Sequence, residues 1–175
     1  MANTVQILDQ ASNVVATFSG STALVDASNS PSLAQHDTIL ASAGQYTGDI
    51  HINLSDVHLV GQPGAVINGD GTGFQGAVNF APNLSGGSLS GFTVNGSPND
   101  VAVVFVGSGD SNISIDHNVL NGVSGNFNVL LTDQPGPVQN LTIDANTFGG
   151  TAETAIFVQS NLIALQSDPM HLYRL

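Results

Sequence analysis

The chain has 175 residues, enough for one domain with a sizeable core, and 41 % of them are hydrophobic, which excludes a disordered polymer. Only 8 % are charged, against roughly 25 % in ordinary domains, so the wet surface is built from Asn, Ser, Thr, Gly and Gln, as suits short strands and turns. Thirteen acids face one base, Arg174, for a net charge of −12; this excludes phosphate-binding chemistry and hence nucleic acid, and disfavours an anionic membrane surface.

In chain order, residues 4–17 read as β-like. Residues 21–27, Ser-Thr-Ala-Leu-Val-Asp-Ala, form the one plausible helix and are expected to cap the structure that follows. From Asp37 onward the pattern is a repeat. Ile67-Asn68-Gly69, Val94-Asn95-Gly96, Leu120-Asn121-Gly122 and Phe148-Gly149-Gly150 recur at steps of 27, 26 and 28 residues. A second apolar register runs through Ile50, Val78, Val103, Val129 and Ile156, and a third through Leu89, Ile115 and Ile143. Val104, Leu130 and Phe157 are expected as a neighbouring column on the opposite face.

Without helices between them, identical short strands at one period become parallel only by coiling. The expectation is an all-β, right-handed parallel β-helix of about five to six coils with a short N-terminal capping helix. A single domain over 1–175 divides into an N-terminal strand and capping helix (1–36), coils (37–160) and a tail or partial coil (161–175). In that arrangement Asn68, Asn95 and Asn121 stack as an amide ladder, each side chain donating and accepting along the column.

Asp37-Thr38-Ile39-Leu40-Ala41-Ser42-Ala43-Gly44-Gln45-Tyr46 resembles the first coil of the pectin-lyase-like right-handed β-helix superfamily. Asn112-Ile113-Ser114-Ile115-Asp116-His117-Asn118 and Asn140-Leu141-Thr142-Ile143-Asp144-Ala145-Asn146 resemble its generic coil. The resemblance spans roughly residues 20–160. It implies the fold and an association with carbohydrate, in a group that includes polysaccharide lyases, glycoside hydrolases, epimerases and surface adhesins; fold alone does not choose among them.

The chemistry of that group is largely missing. The Arg or Lys that takes the uronate proton in lyases has no counterpart in the coils, and the motifs of polygalacturonases and alginate epimerases are absent. Cysteine is absent too, which removes disulfides, thiolates and Cys-type zinc sites. What remains is Asp116 and Asp144, 28 residues apart and in one phase. Carboxylates about 5 Å apart match the spacing of retaining glycosidases, and such a pair also recruits calcium. His51 shares a phase with Asn79, His117 reads as a turn residue, and His36 and His58 have no partner visible in the sequence. Gly69-Asp70-Gly71-Thr72-Gly73 lacks the Lys of a phosphate loop and reads as a turn.

The expected role is a non-catalytic, secreted or cell-surface solenoid, extracellular and of bacterial-surface type, that is structural, adhesive or glycan-contacting. The alternatives are a carbohydrate-active enzyme, or a fragment of one, and a self-assembling unit joined through solenoid faces or uncapped ends as a homo-oligomer. The expected partner is a polysaccharide or cell-surface glycan. No signal peptide is visible in residues 1–10, and no segment reaches the roughly 18 apolar residues of a membrane span.

Overall fold

A computed structural model describes residues 3–72, 75–132 and 136–159, and the backbone of 165–166. After β1 (Thr4–Leu8), β2 (Val14–Ser19) and α1 (Ala23–Ser28), three strands recur five times. The first rung holds β3 (Thr38–Ala41), β4 (Gly44–Thr47) and β5 (Ile50–Ile52), and the second β6 (His58–Gly61), β7 (Ala65–Asn68) and β8 (Gly76–Phe80). The third holds β9 (Ser85–Ser90), β10 (Thr93–Asn95) and β11 (Ala102–Val106), and the fourth β12 (Ser111–Asp116), β13 (Val119–Gly122) and β14 (Phe127–Leu131). The fifth holds β15 (Leu141–Asp144), β16 (Thr147–Gly150) and β17 (Thr154–Val158), after which β18 (Leu165–Gln166) pairs with β15.

Each strand pairs in parallel with its counterpart one rung away, so the chain is a parallel β-solenoid of three sheets. The first runs β18-β15-β12-β9-β6-β3-β1-β2, the second β16-β13-β10-β7-β4 and the third β17-β14-β11-β8-β5. Stacking at about 4.8 Å sets equivalent side chains directly over one another. Ile7, Ile39, Leu59, Leu89, Ile115 and Ile143 line the first sheet inside, and Tyr46, Ile67, Val94, Leu120 and Phe148 the second. All but Phe148, on the last rung, are fully or almost fully buried.

In the third sheet the expected register is corrected by one residue. The inner column is Ile50, Val78, Val104, Val129 and Ile156, not Val103, and the outer one is Phe105, Leu130 and Phe157, not Val104. The cause is the unbroken apolar run Val101–Val106, which has no alternation to mark a face. Val103 and Val104 both join the inner core, while Ala102, Phe105 and Leu130 form a separate small cluster outside it, with Phe127 packed against them. Phe127 also stacks on Phe157 with ring centroids 4.5 Å apart.

The N-terminal stretch is a hairpin rather than one strand. Asp9 turns it: its Oδ1 accepts from the amides of Ala11 and Asn13, at 2.9 and 2.8 Å. A turn made by side-chain acceptors, without Gly or Pro, leaves little trace in the sequence. β1 then pairs antiparallel with β3, which ends the first sheet's parallel stack. The expected helix forms and closes the interior, with Ala23, Leu24 and Ala27 fully buried over the first rung. The exposed backbone of β4 is also met: Thr47 N–H donates to Ser21 O at 2.7 Å, and the Asn3 amide donates to Gln45 O.

Corners repeat as faithfully as strands. Asp56, Asn112 and Asn140 enter the first sheet in the left-handed region, and His117 and Ala145 leave it the same way. In the column of His117 and Ala145 the third rung has Gly91, φ +79°, packed so closely on the Gly61 carbonyl that a Cβ there would collide with it.

Candidate functional site

The outer face of the first sheet carries the residues singled out from sequence. Strand alternation turns Leu89, Ile115 and Ile143 inward and their neighbours outward. One outward column is Thr38, His58, Ser88, Ser114 and Thr142; the next includes Val60, Ser90, Asp116 and Asp144. Asp116 and Asp144 are therefore partners on adjacent rungs. Each is engaged within its own rung. Asp116 Oδ2 accepts from Ser114 Oγ at 3.0 Å and its Oδ1 lies 2.9 Å from His117 Nδ1, while Asp144 Oδ1 accepts from the Ala145 amide at 2.8 Å. Among the described residues no three His, Asp or Glu side chains form a ready-made metal centre.

At the upper end of the same face the structure assembles a chain of groups not foreseen as a cluster. Asp56 lies between two imidazoles: His36 Nδ1 is 2.5 Å from Oδ2, and His58 Nε2 is 3.4 Å from Oδ1. The other nitrogen of His58, Nδ1, is 3.0 Å from Ser88 Oγ. A carboxylate beside Nε2 favours the Nε2–H tautomer, and this leaves Nδ1 to accept the serine proton. The groups lie open to solvent, with the side chains of His58 and Asp56 40 % and 39 % exposed. His58 precedes its stacking partner Ser88 by 30 residues, outside the steps of 25 to 28 that mark the repeat, so the repeat did not reveal it.

The three asparagines of the second sheet are joined from rung to rung. Asn121 Nδ2 donates to Asn95 Oδ1 at 2.9 Å, Asn95 to Asn68 at 2.8 Å, and Asn68 to Gln45 Oε1 at 2.9 Å. The column ends at Gly149, where a Cβ would press on Asn121 Oδ1. A second set sits where the first sheet turns into the second. Asn118, 2 % exposed, donates to Leu89 O and Asp116 O and accepts from the Phe92 amide, and Asn146 donates to Ile115 O.

Two buried acids were not visible as sites in the sequence. Asp110 is fully buried, and its oxygens accept from the amides of Leu84 and Gly107 at 2.8 and 3.1 Å. Burial pushes its carboxyl up to about 7 despite those donors. Asp100, before β11, is 3 % exposed and is raised to about 6 by burial, with the charges of Asp49 and Asp70 adding to the shift. The tail with Arg174 lies outside the described residues.

No family model, curated protein or solved structure matches the chain. The site is therefore read from its own geometry.

Proposed function

We propose that the chain is a secreted or cell-surface module of the pectin-lyase-like kind that contacts glycan through the outer face of the first sheet and does not turn it over. The observation that carries this reading is the pair of outward columns. They repeat hydroxyl, imidazole and carboxylate groups at the 4.8 Å rung spacing, and this display suits the hydroxyls of a neutral polymer. The absence of Lys argues against a polyanionic partner held by direct ion pairs. A glycan array combined with polysaccharide co-sedimentation tests it. The expected result is binding to at least one neutral glycan class, lost in Ser90→Trp and Ser114→Trp and kept in Val14→Ser on β2. No binding to any glycan, or undiminished binding by both Trp variants, overturns the reading.

A second reading, a carbohydrate-active enzyme, has one observation in its favour: the ordered contacts Asp56–His58–Ser88. In this reading His58 Nδ1 takes the proton as Ser88 Oγ attacks the carbonyl of an acyl ester on a sugar. The same nitrogen returns the proton to the leaving alcohol, and water then releases the acid from the serine. A serine-directed phosphonate probe distinguishes the two readings. Labelling of the native chain that is lost in Ser88→Ala and in His58→Gln favours the enzyme; no labelling leaves contact alone.

A further inference from the structure

The first sheet ends at β2, and among the described residues no strand pairs with its far side. The register decides which backbone groups are left over there. Gly20 N–H donates to Asn3 O at 3.0 Å, next to the opposed pair Thr4 and Ser19. Bonded and non-bonded pairs alternate along an antiparallel ladder. Phe18 and Ala16 therefore exchange bonds with Val5 and Ile7, while Thr17 and Ser19 turn their N–H and C=O groups away from β1. Both of these residues are exposed. Val14 and Val15, at 52 % and 46 %, are the most exposed large hydrophobic side chains among the described residues. Ala16 and Phe18 pack against the core yet stay only partly buried. Natural sheet edges are usually blunted by Lys, Pro or an inward charge. β2 has none of these, and its one irregularity, a bulge at Val15, leaves residues 16–19 regular.

The chemistry of an open edge calls for another strand, and two features select a second copy of this chain. The first is charge. Residues 10–25 hold no charged side chain in a chain of net charge −12, so two copies meet here without opposing carboxylates on the paired strands. The second is self-complementarity. A twofold axis at Phe18 sets Thr17 opposite Ser19 of the second copy, and Ser19 opposite its Thr17. The outward groups of each pair then exchange two bonds, four in all. Phe18 meets Phe18 of the second copy on the axis as a non-bonded pair, where cross-strand side chains approach closest and aromatic pairs stabilise a sheet. We propose that β2 is a dimerisation edge that pairs antiparallel with β2 of a second copy. The two first sheets join end to end, the half-exposed Ala16 and Phe18 are covered, and the axis closes the assembly at two chains. The edge is separate from the outward columns on the rungs and does not depend on glycan contact.

One short strand buries less than the ~800 Å² per partner of a standard interface, so the dimer is weak, with Kd above about 1 µM. Sedimentation equilibrium between ~10 and ~500 µM chain tests the proposal. The mass is expected to rise from that of one chain toward that of two and no further, and to do so at lower concentration as salt screens the net charge. Thr17→Pro removes an outward donor and no bond to β1, as prolines on sheet edges do. It is expected to raise Kd at least about tenfold, while Val158→Ser at the other end of the solenoid leaves it unchanged. Amide exchange of the native chain covers the case in which Thr17→Pro does not fold. The Thr17 and Ser19 amides are expected to exchange more slowly at ~500 µM than at ~10 µM. A chain that stays monomeric at ~500 µM in high salt overturns the proposal and leaves the edge to a strand of another protein. Growth beyond two copies, self-association untouched by Thr17→Pro, or Thr17 and Ser19 amides indifferent to concentration overturns it as well.

Discussion

Two corners of the solenoid satisfy buried polar groups in opposite ways. Where the first sheet turns into the second, the column is made of amides, Asn118 and Asn146. Where the second turns into the third, the first three rungs carry carboxylates, Asp49, Asp70 and Asp100. An amide both donates and accepts, so Asn118 serves the backbone of its own rung and of its neighbour, and the stack is self-sufficient. An ionised carboxylate only accepts, so a stack of them accumulates charge. Asp100 Oδ1 is the atom left over. One corner is thus closed chemistry, and the other leaves a buried oxygen over.

The contrast is broken most severely at the amide corner. Asn118→Ala removes the donor to Leu89 O and Asp116 O and the acceptor for the Phe92 amide, all buried or nearly so. It is expected to cost about 2–4 kcal/mol in urea unfolding. Next comes pH. Asp100 and Asp110 have carboxyls raised to about 6 and about 7 in the folded chain, against 3.8 when free. The folded state therefore holds its protons more tightly, and the stability these two groups give is fully present below pH 3.8 and falls as pH rises toward 7. The melting temperature is expected to be higher at pH 5 than at pH 8, and Asp110→Asn should shrink that difference. An equal shrinkage from Asp116→Asn would mean that general charge repulsion, not the buried acids, sets the slope. A smaller effect belongs to the ladder: Asn95→Ala interrupts two rung-to-rung bonds between half-buried amides and is expected to cost about 1 kcal/mol. Smallest is Asp144→Asn on the exposed face, expected to stay within about 0.5 kcal/mol.

The parallel solenoid was legible because inward residues repeat in phase, and two of the three sheets kept strict alternation. Leu89, Ile115 and Ile143 each stand between polar neighbours, so their face was readable. The third sheet was not, because Ala102–Val106 is apolar on both sides and a one-residue slip leaves its hydrophobicity unchanged. The pairing of Asp116 with Asp144 was legible for the same reason as the core: it lies on strands in phase. The ladder of Asn68, Asn95 and Asn121 was legible in the same way, whereas the acidic and His–Asp clusters form across corners, where loop lengths differ. Asp49 and Asp100 meet across rungs from loops of unequal length, and His36 reaches Asp56 from the segment between the capping helix and β3. No period connects such residues. The signal that remained was compositional: thirteen acids and one base in a chain that must bury some of the acids.

The hairpin and helix at the start of the chain also set an order in time. A strand in this fold has no partner until the rung before it exists, apart from β1 and β2, which pair with each other across a short turn. They and the helix leave the ribosome before the rungs do and supply the template for β3. Each later rung of about 26 residues then takes about 1 to 5 s to synthesise at usual translation speeds, far longer than a strand needs to dock on a ready edge. Assembly can therefore keep pace with synthesis, with one open edge at a time, and the nascent chain need never hold several unpaired strands at once.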